Sequence, residues 1–134
     1  HDDRSLLNPV IDETLRFEPT GHATARFVMK DVDYYGTTVP AGSPILMLMA
    51  SANRDRRRYT NPDAYDIHRS DIQHLTFGYG LHYCLGASLA RLEGRVALDE
   101  LLNRFPDWDV DLDDAALAST TTVRGWERLP MLIS

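Results

Sequence analysis

The ten residues from Phe77 to Gly86 constrain this chain more than any other feature of its sequence. They read Phe-Gly-Tyr-Gly-Leu-His-Tyr-Cys-Leu-Gly and include Cys84, the only cysteine among the 134 residues. A long helix is predicted to follow, near residues 85–103. Glycines let a backbone turn tightly and approach a bound group closely, and N–H groups at a helix N-terminus stabilise an anion. The stretch therefore predicts a loop that presents one thiolate to a metal.

Other interpretations of this loop stay open on the residues alone. A lone cysteine is most often a small buried hydrophobic residue, and a Gly-x-Gly pair is compatible with any turn or with a phosphate-binding loop. The phosphate loop is disfavoured because no Lys-Ser or Lys-Thr follows the glycines. A zinc site drawn from Cys84, His74, His82 and Asp71 is a distant alternative, since the spacing fits no familiar zinc pattern.

The spacing Phe-x-x-Gly-x-x-x-Cys-x-Gly closely resembles the haem-ligand loop of the cytochrome P450 family, and its expanded form resembles the bacterial version. The resemblance implies a mainly α fold with small β-sheets and haem b as cofactor. It makes Cys84 the axial thiolate of the iron, where a thiolate favours O–O cleavage. Arg26, His74 and His82 are expected to face the haem propionates. The implied cofactor-binding residues are Cys84, Phe77, Gly78, Gly80, His82, Gly86, Arg26, His74 and Ala87.

A second motif lies on the first predicted helix, residues 5–17, whose apolar residues recur at helical spacing. Glu13 and Arg16 are one turn apart and can pair, although most such pairs are surface contacts of small value. In the family that the loop resembles, this pair joins another arginine, here Arg69, in a buried ion network. Such a network is costly unless every member is satisfied. Its expected role is structural, to lock the loop that carries Cys84, and Tyr65 stands where the family usually has Phe.

The rest of the chain predicts short elements. Strands are expected near residues 24–29, 31–34 and 37–39. The apolar run from Ile45 to Met49 predicts a buried strand that merges into a short helix ending near Asn53. The helix after the cysteine is expected to be an amphipathic core helix of about five turns, which stops near Phe105-Pro106. The tail, Trp108 to Val110 and residues 120–133, is expected to form short strands.

Composition excludes several classes of function. The net charge of −6 argues against general nucleic-acid binding. No apolar run approaches membrane-spanning length, no secretion signal is visible, and a single cysteine excludes an internal disulfide. These features predict a cytoplasmic protein without nucleic-acid or membrane partners.

The resemblance covers nearly the whole chain but only about the last third of a typical family member. Residues 1–134 are therefore expected to be the C-terminal, haem-proximal part of a single cytochrome P450 domain, without the N-terminal remainder. The missing part would include the distal helix that handles oxygen. Because half a pocket leaves apolar surface exposed, the isolated chain is expected to be marginally stable and prone to aggregate.

The resemblance implies a haem-thiolate monooxygenase that inserts one atom of O₂ into a small organic substrate. Its electrons are expected from a ferredoxin or flavodoxin, which would dock on the proximal face. Five arginines are either part of that docking surface or a solvated face: Arg54, Arg56, Arg57, Arg58 and Arg91. Substrate contacts are expected from two segments and include His22, Ala23, Thr24, Thr122 and Val123. Two alternatives remain, a non-catalytic truncated remnant and a haem-binding or sensor module without turnover. Peroxide-driven and isomerase relatives share the same loop.

Overall fold

A computed structural model describes residues 3–70, 72–120 and 123–133 of the chain. Three α-helices form its frame: α1 (Leu7–Phe17), α2 (Met49–Ala52) and α3 (Ala87–Arg104). Two short 3-10 helices, Arg4–Leu6 and Gly80–His82, precede α1 and the cysteine. The long helices lie within a residue or two of the predicted positions, and the short helix ends one residue before Asn53.

Eight short strands pair two by two into four antiparallel sheets. The strands are β1 (Thr24–Phe27), β2 (Val32–Tyr34), β3 (Thr37–Val39), β4 (Pro44–Met47), β5 (Trp108–Val110), β6 (Ala116–Leu117), β7 (Trp126–Arg128) and β8 (Met131–Ile133). The pairs are β1 with β4, β2 with β3, β5 with β8, and β6 with β7. Sequence analysis missed β6, a strand of two residues. The predicted class, helices with small β-sheets, is confirmed.

Helices α1 and α3 pack against each other. Leu7 and Ile11 are buried on α1, and Gly94 of α3 faces Ile11. A Cβ added at Gly94 would lie 3.6 Å from the side chain of Ile11, a distance of ordinary van der Waals contact. Helix α3 ends before Phe105, whose N–H donates to the carbonyl of Leu101, and Pro106 follows, which cannot continue a helix.

The prediction that α3 is an amphipathic core helix was wrong. Of its residues, only Ala87 is buried, and Leu89, Leu92 and Val96 are about half exposed, at 57%, 49% and 46%. The apolar residues do recur at helical spacing, but they lie on two faces of the helix and α1 covers only one of them. The second stripe, at spacings of three and four residues, has no cover among the described residues.

The predicted buried strand at Ile45–Met49 is also corrected. Residues 44–47 do form β4, with Thr24 opposite Met47 and Phe27 opposite Pro44 in β1. Leu46 and Leu48, however, are 61% and 55% exposed. The described residues therefore leave much of this two-stranded sheet uncovered.

The most deeply buried side chains are polar. Leu7, Ile11, Val28, Tyr59 and Ala87 form the buried apolar core, with 2–9% exposure. The largest fully buried side chains, however, are those of Arg16, Glu13 and Asn53. Directional polar contacts therefore hold the centre of this structure. Within the described ranges, no helix is both long and apolar enough to cross a membrane.

Candidate functional site

The loop around Cys84 is closed by hydrogen bonds of its own backbone. The N–H of Cys84 donates to the carbonyl of Phe77 at 2.8 Å, and that of Tyr83 donates to the carbonyl of Gly80 at 3.0 Å. The carbonyl of Cys84 accepts the N–H of Ala87 at 3.3 Å, which ties the loop to the first turn of α3. The loop thus holds an exposed cysteine directly before the N-terminus of a five-turn helix.

Two glycines of the loop adopt conformations that other residues rarely adopt. Gly78 and Gly80 have φ angles of +76° and +66°, in the left-handed region that favours glycine. A Cβ added at Gly78 would also lie 3.3 Å from the carbonyl oxygen of His82. Gly86 serves a different purpose, because a Cβ there would lie 3.8 Å from Sγ of Cys84. Its absence keeps the space beside the sulfur open.

Cys84 lies in the wall of a pocket of about 550 Å³. The pocket is bounded by β1, the end of β4, the start of α2 and the cysteine loop, and its surface is largely apolar. Its lining residues are Thr24, Arg26, Met47, Met49, Leu75, Thr76, Phe77, Gly78, Tyr79, His82 and Cys84. Five of the predicted cofactor-binding residues are therefore brought together in one wall: Cys84, Phe77, Gly78, His82 and Arg26.

The remaining predicted cofactor residues lie outside that wall. Gly80 and Gly86 belong to the loop backbone, and Ala87 is buried at the start of α3, with 2% exposure. His74 does not line this pocket. Its side chain is only 3% exposed, and its ring packs behind Phe77 with ring centroids 5.7 Å apart.

His74 lies between the two long helices. Its Nε2 is 3.6 Å from an oxygen of Asp12 and 3.4 Å from Nη2 of Arg91, while its Nδ1 is buried without a hydrogen-bond partner among the described residues. Burial and the positive charge of Arg91 lower the pKa of His74, and the carboxylate of Asp12 opposes this shift only in part. His74 is therefore a neutral imidazole near neutral pH, with one unsatisfied ring nitrogen.

Glu13 and Arg16 form a fully buried, two-point ion pair. Nε and Nη2 of Arg16 donate to the two carboxylate oxygens of Glu13 at 2.7 and 2.8 Å, and both side chains are 0% exposed. Arg16 also donates to three backbone carbonyls, those of Asn53, Pro62 and Ala64, at 2.9–3.0 Å. The guanidinium is thus satisfied on every side, which is the condition for burying such a pair without a large penalty.

Arg69 joins this pair from the irregular segment. Its Nε lies 3.6 Å from Oε1 of Glu13, and its other nitrogens donate to the carbonyls of Thr60, Asn61 and Ala64. Oε1 of Glu13 also accepts the N–H of Asp66 at 2.8 Å. Burial alone would raise the pKa of Glu13, but the hydrogen bonds from Arg16 and Asp66 and the two guanidinium charges lower it below its usual value. The three predicted network residues do lie together.

Asn53, which sequence analysis did not single out, connects this network to the cysteine loop. Its carbonyl accepts from Arg16, and its Oδ1 accepts the N–H of Leu75 at 2.7 Å. Its Nδ2 donates to Oγ1 of Thr76 at 3.0 Å, and that hydroxyl donates to the carbonyl of Leu15 at 2.6 Å. In the sequence, Asn53 is one polar residue in an irregular segment, and nothing there indicates this role. In the structure it is only 1% exposed, as a connecting residue would be.

The five candidate docking arginines are engaged in contacts within the chain. Arg54 pairs with Glu18 and Asp63, Arg56 with Asp63, and Arg57 with Asp55. Arg58 donates to Gln73. Arg91 pairs with Asp12 at 2.8 Å. Much of their charge is therefore balanced by neighbouring carboxylates.

The two predicted substrate segments meet. Gly21 forms an isolated antiparallel bridge with Val123, and the N–H of Arg124 donates to the carbonyl of Thr20 at 2.7 Å. Among the predicted contact residues, Thr24 lines the pocket, whereas His22, Ala23 and Val123 do not. Thr121 and Thr122 lie outside the described residues, as does Asp71 of the zinc alternative.

Among the described residues, Cys84 belongs to no group of side chains that could hold a metal ion by itself. Within residues 3–70, 72–120 and 123–133, no group of three His, Cys, Asp or Glu side chains is placed to hold a metal ion. No hydrogen bond to the sulfur is found in that part of the chain, where the N–H groups of Cys84 and Ala87 donate to carbonyls.

A family model described as cytochrome P450 matches residues 1–122. The chain is 42% identical over 132 residues to cytochrome P450 monooxygenase PikC of Streptomyces venezuelae, and the matched region covers 96% of this chain and 32% of that protein. It is 43% identical over 133 residues to a vitamin D(3) 25-hydroxylase of Pseudonocardia autotrophica, covering 97% and 33%. The chain therefore spans about a third of the length of the curated relatives it matches.

Solved structures share the fold closely. P450BioI, crystallised in complex with an acyl carrier protein ligated to hexadec-9Z-enoic acid, superposes with a TM-score of 0.93 at 38% identity. The match covers 99% of this chain and 35% of that one. HmtN, a post-tailoring hydroxylase of himastatin biosynthesis, gives a TM-score of 0.93 at 38% identity, covering 98% and 36%.

Proposed function

The chain belongs to the cytochrome P450 family, and on this premise we propose that it supplies the proximal haem site of a haem-thiolate monooxygenase. The observation that carries the proposal is the position of Cys84. It is the single thiol of the chain, and it lies in the wall of a largely apolar pocket that Arg26 and His82 also line. The activity proposed is insertion of one oxygen atom into a small organic substrate.

The residues present fit a haem group. A haem is a flat apolar ring that carries an iron and two carboxylates, so it requires apolar walls, one axial ligand and donors for two anions. Phe77, Met47 and Met49 supply apolar wall, and Cys84 supplies a soft ligand. Arg26 and His82 supply donors, and a guanidinium suits a carboxylate well. Glycine at position 86 leaves the space beside the sulfur unfilled.

When bound, a haem with thiolate ligation supplies the activation of O₂. The chain's own part is to hold one sulfur in place in the wall of an apolar pocket. The hydrogen bond from the Cys84 N–H to Phe77 and the positive φ angles of Gly78 and Gly80 fix the loop. We assign propionate binding to Arg26 and His82. The unsatisfied Nδ1 of His74 is a third, buried donor or acceptor near the same loop, and its role toward the cofactor stays a prediction.

The finer assignments are proposals that rest on family membership. We assign haem b as the cofactor, a ferredoxin or flavodoxin as the electron donor, and residues 1–134 as the C-terminal, haem-proximal part of one cytochrome P450 domain. The relatives are named for very different roles, among them a vitamin D(3) 25-hydroxylase and a biotin biosynthesis cytochrome P450. The substrate is accordingly proposed only as a small organic molecule. A cytoplasmic location stays a prediction of the sequence.

The first experiment is the carbon monoxide spectrum of the reduced, haem-loaded gene product in full length. A strongly red-shifted Soret band, typical of thiolate ligation, is expected. Cys84→Ser should abolish that band, while Ser88→Ala, on the exposed side of the first turn of α3, should keep it. If the band survives in Cys84→Ser, the ligand assignment is wrong.

The same preparation separates the alternatives. Turnover driven by NAD(P)H and a redox partner supports the monooxygenase. Haem uptake with a thiolate spectrum but without turnover supports a haem-binding or sensor module. Failure to take up haem supports a non-catalytic remnant.

A further inference from the structure

We propose that Arg91, held by Asp12, positions the loop that carries Cys84 and sets the charge around its sulfur. In the sequence, Arg91 is only one of five arginines on a possible docking surface. In the structure it is a positioning residue that acts on Cys84 through the two aromatic residues next to it. The proposal rests on the haem-thiolate function proposed above.

Arg91 contacts a carboxylate and two aromatic side chains at once. Its Nε donates to a carboxylate oxygen of Asp12 at 2.8 Å, and its guanidinium carbon lies 4.8 Å from the centre of the Phe77 ring. Its Nη1 is 3.4 Å from the hydroxyl of Tyr83. A planar guanidinium can pair with a carboxylate and stack on an aromatic face at the same time, which an ammonium group cannot do as well. With its side chain 36% exposed, Arg91 is mostly committed to these contacts.

Both aromatic residues are directly connected to Cys84. The carbonyl of Phe77 accepts the N–H of Cys84 at 2.8 Å, and Tyr83 precedes Cys84 in the chain. Their rings meet at an angle of 69° with centroids 6.5 Å apart. A shift of the Arg91 side chain would therefore be transmitted to Cys84 through one hydrogen bond and one peptide bond.

Asp12 and Glu13 are adjacent on α1 and hold different parts of the loop. Glu13 acts through Arg16 and Asn53 on residues 75–76, which lead into the loop. Asp12 acts through Arg91 on residues 77 and 83. The second connection has its own buried companion in His74, which lies within 3.6 Å of both Asp12 and Arg91. Two carboxylates on neighbouring positions of one helix thus secure the cysteine loop at both ends.

The two members of the pair should affect the metal centre in opposite directions. A cation near a metal–thiolate centre favours its more negative, reduced form, and an anion disfavours it. Loss of the Arg91 charge leaves Asp12 uncompensated and should lower the reduction potential. Loss of the Asp12 charge leaves Arg91 uncompensated and should raise it. A merely structural ion pair would give two destabilised variants without this opposition of sign.

The test compares Arg91→Gln, Arg91→Lys and Asp12→Asn in the haem-loaded, full-length gene product. Arg95→Gln is the matched control, because Arg95 is an exposed arginine one turn further along α3. A redox titration measures the potential, and the carbon monoxide spectrum measures the fraction of thiolate-ligated haem. Arg91→Gln is expected to lower the potential and Asp12→Asn to raise it. Arg91→Lys keeps the charge but not the planar stacking, so the potential should change little while the thiolate-ligated fraction falls.

Shifts of the same sign in Arg91→Gln and Asp12→Asn, or values equal to those of Arg95→Gln, would overturn the proposal. If Arg91→Gln does not fold, the proposal is tested by the sign of the potential shift in Asp12→Asn and by the fraction of thiolate-ligated haem in Arg91→Lys. The unsubstituted protein shows whether a failed test concerns the proposed function or only the role of Arg91. If the unsubstituted protein shows no thiolate spectrum, the proposed function fails. If it shows that spectrum but the Arg91 and Asp12 variants have the same potentials as Arg95→Gln, only the role of Arg91 is refuted.

Discussion

Glu13→Gln should strongly destabilise the protein, although glutamate and glutamine have nearly the same shape and size. The carboxylate of Glu13 accepts two hydrogen bonds from Arg16 and one from the N–H of Asp66, and it lies 3.6 Å from Arg69. It is 0% exposed. An amide in its place keeps one carbonyl acceptor, but it turns an NH₂ group toward the donors of Arg16 and leaves that buried guanidinium without a counter-charge.

Removal of one partner from a buried pair costs about 3–5 kcal/mol, because the other charge stays buried and uncompensated. Arg16 keeps its three carbonyl acceptors, which favours the lower half of that range. Domains have total stabilities of only about 5–15 kcal/mol, so this one exchange removes a large share. The unfolding equilibrium constant should rise by at least about a hundredfold.

The assay is equilibrium urea unfolding of the full-length gene product, with haem retention followed in the same samples. The matched control is Glu127→Gln on β7, where the glutamate is exposed, and its effect should stay within about 0.5 kcal/mol. Loss of folding and of haem together is the expected outcome. A Glu13→Gln protein that is as stable and as haem-loaded as the control, but slow in turnover, would refute the structural role of this network.

Two further predictions concern the cysteine loop. Gly78→Ala should cost about 1–2 kcal/mol because of its left-handed backbone, plus the effect of the 3.3 Å approach to the carbonyl of His82. Gly36→Ala, at a φ of +82° and with no atom within 4 Å, should cost only the backbone contribution. Equal urea midpoints for the two variants would refute the close contact. The pKa of His74 is lowered by burial and by Arg91, so the folded state binds fewer protons there than the unfolded chain. Its contribution to stability is complete above the unfolded value of 6.5 and is lost as pH falls below it toward the lowered folded pKa. His74→Gln should remove that part of the acid limb in urea midpoints measured against pH, and an unchanged limb would contradict the burial of a neutral imidazole.

The sequence was informative where residue type and spacing have a local cause. Positive φ angles at Gly78 and Gly80 require glycine at those positions, so the loop could be recognised from its pattern. The one-turn spacing of Glu13 and Arg16 allowed them to pair on a single helix, whereas the burial of that pair was implied only by the family resemblance. The ends of α3 follow from a glycine before it and Phe105-Pro106 after it.

Features that depend on long-range packing could not be predicted. The exposure of Leu46 and of the outer stripe of α3 depends on which neighbours cover them, and periodicity carries no information about that. His74 was expected to face a haem propionate. Its buried position beside Asp12 and Arg91 depends on how α1 and α3 meet. Asn53 escaped notice because its contacts reach 22 and 37 residues away along the chain.

The buried centre of this structure is polar, which suits the task of fixing the geometry of the cysteine loop. Burying an ion pair adds little net stability compared with well-packed apolar side chains, so the Glu13–Arg16 pair is hard to explain as a source of stability alone. Hydrogen bonds do what apolar contacts cannot, because they fix direction as well as distance. Contacts that begin at Glu13 lead through Arg16 and Asn53 to Leu75, directly before the cysteine loop. Contacts that begin at Asp12 lead through Arg91 to Phe77 within the loop. In the proposed role of Cys84 as a metal ligand, the position of its sulfur has to be set within about half an ångström. The chain thus commits its most buried side chains to the geometry of the loop around Cys84, while much of its apolar surface remains uncovered.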